Sequence, residues 1–518
     1  MKKITSILLA IMLILGVCSS AMLTIGAEEA TSDTWDGTAS IKWYLDGTNA
    51  DGAYELKTAE DLAGLAYLVG AARAEGRYTG VYHRADGTVA GYVAGSNDVD
   101  FQDSTLIPTS VEGLTSVNGD TFLGKTILLT VDVVLNEGNA ADWATTAPAY
   151  MWQPIGGNAR TGSSADPAGF DGIFDGQGHT VSGMYYKAAE GVLHGGLFGR
   201  TGQQFPGTIK NLKLTNFYVC GSTAGALVGR SNKGLTVENV CVSNGIVENV
   251  GTGAGALIGT VFGGAVVMRY CSVEDVKVQG GMYMGLFTGM VVGQDLEIYD
   301  SYVKNSSAKG VTEAGLVAGR ISGGNLTLRN IYATAEIEAV GNEEETAPAA
   351  GLIYAVAGSG NNPTAKQIEG VFHVSTITGT VVNEALVDMT TAVELAQITG
   401  EAAKTALTGF DFETVWKTVE GGTPVIELRG AVNDDDSNED DGDVLLPDDN
   451  GGSSSNNSSN KNDKNDNTDT TETKDDAGTT GATATTDENK GCGSVVGAAG
   501  LALVVVLSGA AVMLKKEN

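Results

Sequence analysis

Gly196-Leu197-Phe198-Gly199 opens a phrase that returns along the chain. It comes back as Gly225-Ala226-Leu227-Val228-Gly229, Gly255-Ala256-Leu257-Ile258-Gly259, Gly285-Leu286-Phe287-Thr288-Gly289 and Gly315-Leu316-Val317-Ala318-Gly319. The closing glycines Gly199, Gly229, Gly259, Gly289 and Gly319 stand 30 residues apart. A worn copy, Gly351-Leu352-Ile353-Tyr354-Ala355, follows 36 residues after Gly315, and the acidic insert around Glu343 to Glu345 takes up the excess. A fixed period of this length marks an array of stacked supersecondary units.

The residues between the phrases say which array. Ile209 to Leu214, Val237 to Val242, Met268 to Val273, Ile298 to Val303 and Leu328 to Ala333 largely alternate apolar with polar residues, the period of half-buried strands. No segment there holds a helical period for two turns. Each unit is therefore a coil of two or three short strands, and the array is a parallel, right-handed β-helix of roughly ten coils, about 50 Å long at ~4.8 Å per layer. Asn211, Asn239, Asp300 and Asn330 recur at one place, where a turn lets their side chains bond the backbone and one another up the stack. The glycines fit corners at which positive φ or close backbone approach excludes a Cβ.

The phrases at this spacing resemble the GLUG repeat of bacterial surface proteins, as does the lead-in from Gly172 to Met184. The likeness runs from about Phe122 to Arg429. It implies a surface-exposed β-helix, since such repeats occur in adhesins and protease stalks. Some immunoglobulin-cleaving metallopeptidases also carry them, but no His-Glu-x-x-His unit is present here.

Around this core the chain divides into segments. Residues 1–27 form a signal peptide, with Lys2 and Lys3 before an apolar run and small residues up to Ala27. Residues 28–121 are an N-terminal cap region. Within it Thr58 caps a helix whose Leu62, Leu65, Ala66 and Val69 share one face, suited to covering the first coil. Residues 78–118 are an insertion. The β-helix spans 122–430, with its repeats concentrated in 196–355 and a helical pattern from Ala392 to Leu407 near its end. Residues 431–490 are an acidic linker without aromatic residues, expected to stay extended. Residues 491–518 contain the uncharged run Val495 to Leu514, long enough to cross a bilayer. Lys515-Lys516 then place the tail in the cytoplasm and the body outside.

The net charge of −32 excludes binding of nucleic acid through a basic patch. Of five cysteines, Cys220, Cys241 and Cys271 lie in the body, too few for a disulfide framework. Cys241 and Cys271 are one period apart, yet strand alignment sets Cys271 opposite Val240; all three are read as buried thiols. Gly119 to Thr126 matches a phosphate-binding loop in spelling, but that loop needs a helix after it, and Ile127 to Leu135 reads as a strand. Gly253, Gly255 and Gly259 imitate a dinucleotide loop while belonging to the repeat. His83, His179, His194 and His373 form no metal motif, and the run Asp434 to Asp443 reads as a solvated charge cluster.

Arg200, Arg230 and Arg320 follow the corner glycines and are expected to face solvent, with a spaced ladder of the three as the alternative, while Glu238 and Glu274 sit on strands. No catalytic, cofactor-binding or metal residue is assigned, and no cofactor is expected. The reading is a non-enzymatic adhesion or surface-interaction rod, anchored in the cell membrane and meeting an extracellular ligand such as a host glycan, a matrix protein or a neighbouring surface protein. The alternative is a carbohydrate-active β-helix enzyme, a lyase or glycosidase, marked by acids of neighbouring coils converging in a groove with aromatic walls.

Overall fold

A computed structural model describes residues 34–427 apart from 72–79, 94–109, 157–168, 189–193, 342–347, 356–362, 364, 379 and 382–387. The signal peptide, linker and membrane span expected at the two ends lie outside these residues. Among the described residues no helix is long and apolar enough to cross a membrane.

The chain folds as a parallel β-solenoid. One coil shows the plan: residues 207–210, 212–215, 217–221 and 223–225 make four facets of the bent strand Gly207–Gly225, and Val228–Ser231 makes a fifth. Pairing is parallel from coil to coil. On the first facet a single inward column runs Tyr54, Ile127, Phe174, Ile209, Val237, Met268, Ile298, Leu328, Ile368. On the second, Val181, Leu214, Val242, Val273, Val303 and Ala333 stack likewise. Nearly all these side chains are fully buried, each contributing about 1.5–3 kcal/mol of hydrophobic stabilisation when large. The expectation of roughly ten coils is corrected. The fifth facet is a sheet of only six strands, so fully closed coils are confined to the glycine-phrase region; the earlier layers pair on the first three facets and meet the fifth only through the bridges Ile155–Phe198 and Phe170–Thr201.

Two kinds of corner close a coil. Between the first and second facets Asn211, Asn239, Asp300 and Asn330 all adopt positive φ, 42–57°, as expected of side chains that tolerate the left-handed region. They also bond along the stack: Asn239 donates to Asn211 at 2.8 Å, Asn211 to Asp175 at 3.0 Å and Asn330 to Asp300 at 2.9 Å. Tyr270 occupies the same corner with φ 56° and interrupts the ladder. The glycine corner works differently. Gly225, Gly255, Gly285, Gly315 and Gly351 form one column, and a Cβ on any of the five would lie 2.0–2.4 Å from the carbonyl oxygen three residues ahead. Close backbone approach, not positive φ, is what requires glycine there.

At the N-terminal end the helix Ala59–Ala71 forms as expected. Thr58 Oγ1 accepts from Asp61 N at 3.1 Å, Asp61 accepts from Lys57 N at 2.9 Å, and Leu62, Leu65, Ala66 and Val69 are buried. The insertion contributes an antiparallel sheet in which Gly80–His83 lies between Val89–Val93 and Thr115–Asn118. The helix expected at 392–407 is not continuous. Thr399 is extended and Gly400 has φ +60°, leaving two 3₁₀ turns, Leu395–Ile398 and Gly400–Ala402, and one helical turn, Ala403–Ala406. Nor do residues 412–427 form a final coil. Trp416–Val419 and Gly422–Ile426 make an antiparallel hairpin, which packs with Phe410 on the outer side of the second facet against Tyr302, Tyr332 and Phe372. The Tyr302 and Tyr332 rings stack 5.1 Å apart, and Trp416 lies across both.

A substitution pair tests the glycine corner. Gly285→Ala would place its Cβ 2.1 Å from Thr288 O, whereas Gly70 in the capping helix has nothing within 4 Å. Urea denaturation should show Gly285→Ala destabilised by about 2 kcal/mol or more and Gly70→Ala stabilised by about 0.5–1 kcal/mol.

Candidate interaction groove

The residues singled out in the sequence fall into separate places. Lys125, the lysine of the phosphate-loop spelling, pairs with Asp120 and lies 5.5–5.9 Å from the Phe122, Tyr44 and Tyr54 rings. The strand Thr126–Leu129 follows directly, so no helix N-terminus meets that loop. Cys241 aligns with Ser272, one residue out of step with Cys271. Cys220 and Cys271 are buried, but Cys241 is only half-buried; burial pushes the Cys241 thiol up to about 11 and Cys271 to about 12, so neither is an activated thiol. His179 faces Asp132 at 3.1 Å and His83 faces the Arg84 carbonyl at 3.0 Å. Among the described residues no three His, Cys, Asp or Glu side chains are grouped to hold a metal, and Asp434 to Asp443 lie outside them.

Arg200, Arg230 and Arg320 share one column on the fifth facet, with Thr260 and Met290 between. They do not point into solvent as expected. The glycine corner folds the fifth facet onto the fourth, so alternate side chains of the two facets face each other in a notch. Arg200 is 2% exposed, with its guanidinium 3.5 Å from His194 Nε2, while Thr223 Oγ1 lies 2.6 Å from His194 Nδ1. Further along, Arg320 Nε donates to the fully buried Glu313 at 2.8 Å, Nη2 makes a second bond, and the guanidinium stacks 4.2 Å over Tyr283. Arg230 bonds Asn232 at 2.7 Å and covers Phe262. These groups are spent on one another and hold the notch closed. Burial, then the Arg200 and Arg230 charges, drive the His194 pKa well below 6.5.

The outward strand charges are ordered, not scattered. Asp175, Lys210, Glu238, Arg269, Tyr299, Arg329 and Glu369 form one row on the first facet. Contacts within it include Lys210–Asp175 at 3.3 Å, Arg329–Glu369 at 3.3 Å and Arg269 over Tyr299. Glu274 accepts from Tyr302 at 2.6 Å and pairs with Lys304 at 3.7 Å. Lys309 pairs with Glu338 at 3.0 Å.

Between these paired rows, on the third facet, lies an open groove of about 510 Å³. Its floor is the column Lys277, Ser307, Glu336, Thr376. Its rim is the corner of Asp275 and Asn305, at φ 53° and 49°, with Thr334 and Val374 beyond. The rim is fixed by Thr334 Oγ1, which accepts from Asn305 N at 2.9 Å, and by Ser306 Oγ, which accepts from Val276 N at 3.1 Å. Asp275, Lys277 and Glu336 are exposed, and among the described residues none makes an ion pair or hydrogen bond, in contrast to the flanking charges. Sequence reading missed this site. The available signal was a second set of corner residues, Asn216, Asn244, Asp275 and Asn305, five positions after Asn211, Asn239, Tyr270 and Asp300.

No protein-family model matches the chain. No curated protein matches it either. Among solved structures, it is similar to one from Bacteroides ovatus named a "putative immunoglobulin A1 protease". That likeness has 15% identity and a TM-score of 0.38, covering 60% of this chain and 87% of the other. A likeness at this level carries no argument about activity, and the GLUG resemblance rests on the repeated phrases alone.

Two measurements probe the notch. Glu313→Ala leaves the Arg320 guanidinium without its buried carboxylate and should cost about 3 kcal/mol in urea denaturation. His194 stays neutral when folded, so the unfolded chain takes up a proton first and stability falls as pH drops below about 6.5. The melting temperature of the wild type should therefore fall more between pH 7.5 and 5 than that of His194→Gln.

Proposed function

We propose that the protein is a non-enzymatic surface-interaction rod, exported and anchored in the cell membrane by its C-terminal apolar run, with the solenoid outside. The observation that carries the binding role is the third-facet groove, where the Asp275, Lys277 and Glu336 side chains have no ion-pair partner among the described residues, between rows of paired charges. A solenoid holds such side chains at fixed intervals without moving parts, which suits recognition of an extended partner. The export signal and tether support the location. A second reading, a carbohydrate-active enzyme, draws on the two carboxylates in that groove. It is the weaker one, because Asp275 and Glu336 lie open to solvent, without the exclusion of water that a reacting centre gains from enclosure.

The test presents the purified full-length chain to an immobilised panel of glycans and matrix proteins while released sugars are assayed. Saturable binding without product is expected. Release of product overturns the non-enzymatic assignment, and absence of any binding overturns the interaction role.

A further inference from the structure

We infer that the third-facet groove binds a linear, uncharged glycan, with Asp275, Lys277 and Glu336 hydrogen-bonding its hydroxyl groups; this rests on the interaction role proposed above. Four properties of the groove point to that ligand class.

The first is its chemistry. Two carboxylates accept, an ammonium donates, and Ser307, Thr376 and Asn305 can do both. A ligand matching all of them must offer donors and acceptors together, as hydroxyl groups do. The second is charge. Asp275 and Glu336 outweigh Lys277, and the chain carries −32, so an anionic sugar or nucleic acid is repelled.

The third is shape. Lys277, Ser307, Glu336 and Thr376 lie on successive rungs about 4.8 Å apart, so polar groups repeat along a straight line. A chain of sugars repeats its hydroxyls in the same manner, and a compact metabolite does not. The fourth property separates a glycan from a peptide. Strands Ser272–Gly280, Leu296–Gly310 and Asn325–Ala339 are paired on both sides along the groove, so strand addition could reach only Ala365–Thr378 at its end. Among its described lining residues only Ala335 and Val374 are apolar, too few to form side-chain pockets for a peptide.

The test uses the full-length chain on a printed array of neutral, acidic and amino-sugar oligosaccharides beside matrix proteins, followed by titration calorimetry on the best glycan. Neutral linear oligosaccharides should bind. Asp275→Gly, which keeps the positive φ, Lys277→Ala and Glu336→Ala should each weaken binding about tenfold, the loss of one charged hydrogen bond. Glu369→Ala, on the paired row of the first facet, should bind as wild type. All four positions are exposed, and unchanged melting temperatures verify folding. Glycan binding that survives the triple Asp275→Gly, Lys277→Ala, Glu336→Ala variant overturns the groove while leaving the surface-interaction role standing. Preference for acidic or amino sugars, or binding to matrix proteins alone, overturns the ligand class. Absence of binding by the wild type to anything on the array overturns both readings.

Discussion

The approach of one backbone segment to another at the glycine corner governs the rest of this structure. Gly225, Gly255, Gly285, Gly315 and Gly351 each sit where a methyl group would strike the carbonyl oxygen three residues ahead. The closing glycines meet the preceding coil as tightly: a Cβ on Gly289 would lie 2.4 Å from Ala254 N, and one on Gly319 2.4 Å from Met284 N. With no side chain in the way, the fifth facet folds back against the fourth and the coil closes. Closure at one repeated place fixes coil length. Fixed coil length places Ile209, Val237, Met268, Ile298 and Leu328 above one another, and burial of such columns supplies the stabilisation.

The same register that stacks apolar residues inside stacks polar ones outside. A column of side chains ~4.8 Å apart places opposite charges within reach of each other, and the first facet uses this to neutralise its own surface. The notch between the fourth and fifth facets does so in a buried setting, where Glu313 and Arg320 hold each other in two hydrogen bonds. Against that background the unpaired charges of the third facet stand out. They lie beside a corner whose residues take positive φ and whose backbone is tied by Thr334 and Ser306, so the groove is presented ready-formed. A preformed site loses less entropy on binding than one that must order itself.

Much of the fold was legible because repetition is visible without coordinates. The 30-residue glycine period, the alternation within strands and the alignment of Val240 with Cys271 all follow from spacing, and the pairing of Cys241 with Ser272 agrees with them. The capping helix was legible from Thr58 and the face of Leu62, Leu65, Ala66 and Val69. The lateral C-terminal cover was not, since Trp416 and Phe410 pack on Tyr302 and Tyr332 across some hundred residues, and no local pattern encodes such a contact. The arginines were assigned to solvent because a residue after a turn is usually exposed, and the folding-back of the fifth facet is a tertiary event. The groove was missed for a related reason. Lys277, Ser307 and Glu336 are ordinary surface residues one by one, and only the register aligns them.

That register is the central claim, and cysteine cross-linking on the third facet tests it most directly. Neighbouring rungs bring Lys277 and Ser307 into register, at a Cα separation near 4.8 Å that a disulfide can bridge. Lys277 and Glu336 are two rungs apart, beyond that reach, and Ala308 faces the core. In a background with all five native cysteines replaced by serine or alanine, mild oxidation should join Lys277→Cys to Ser307→Cys. The pairs Lys277→Cys with Glu336→Cys and Lys277→Cys with Ala308→Cys should stay reduced. Cross-linking of either of those pairs in preference to the first would show a slipped register and contradict the account.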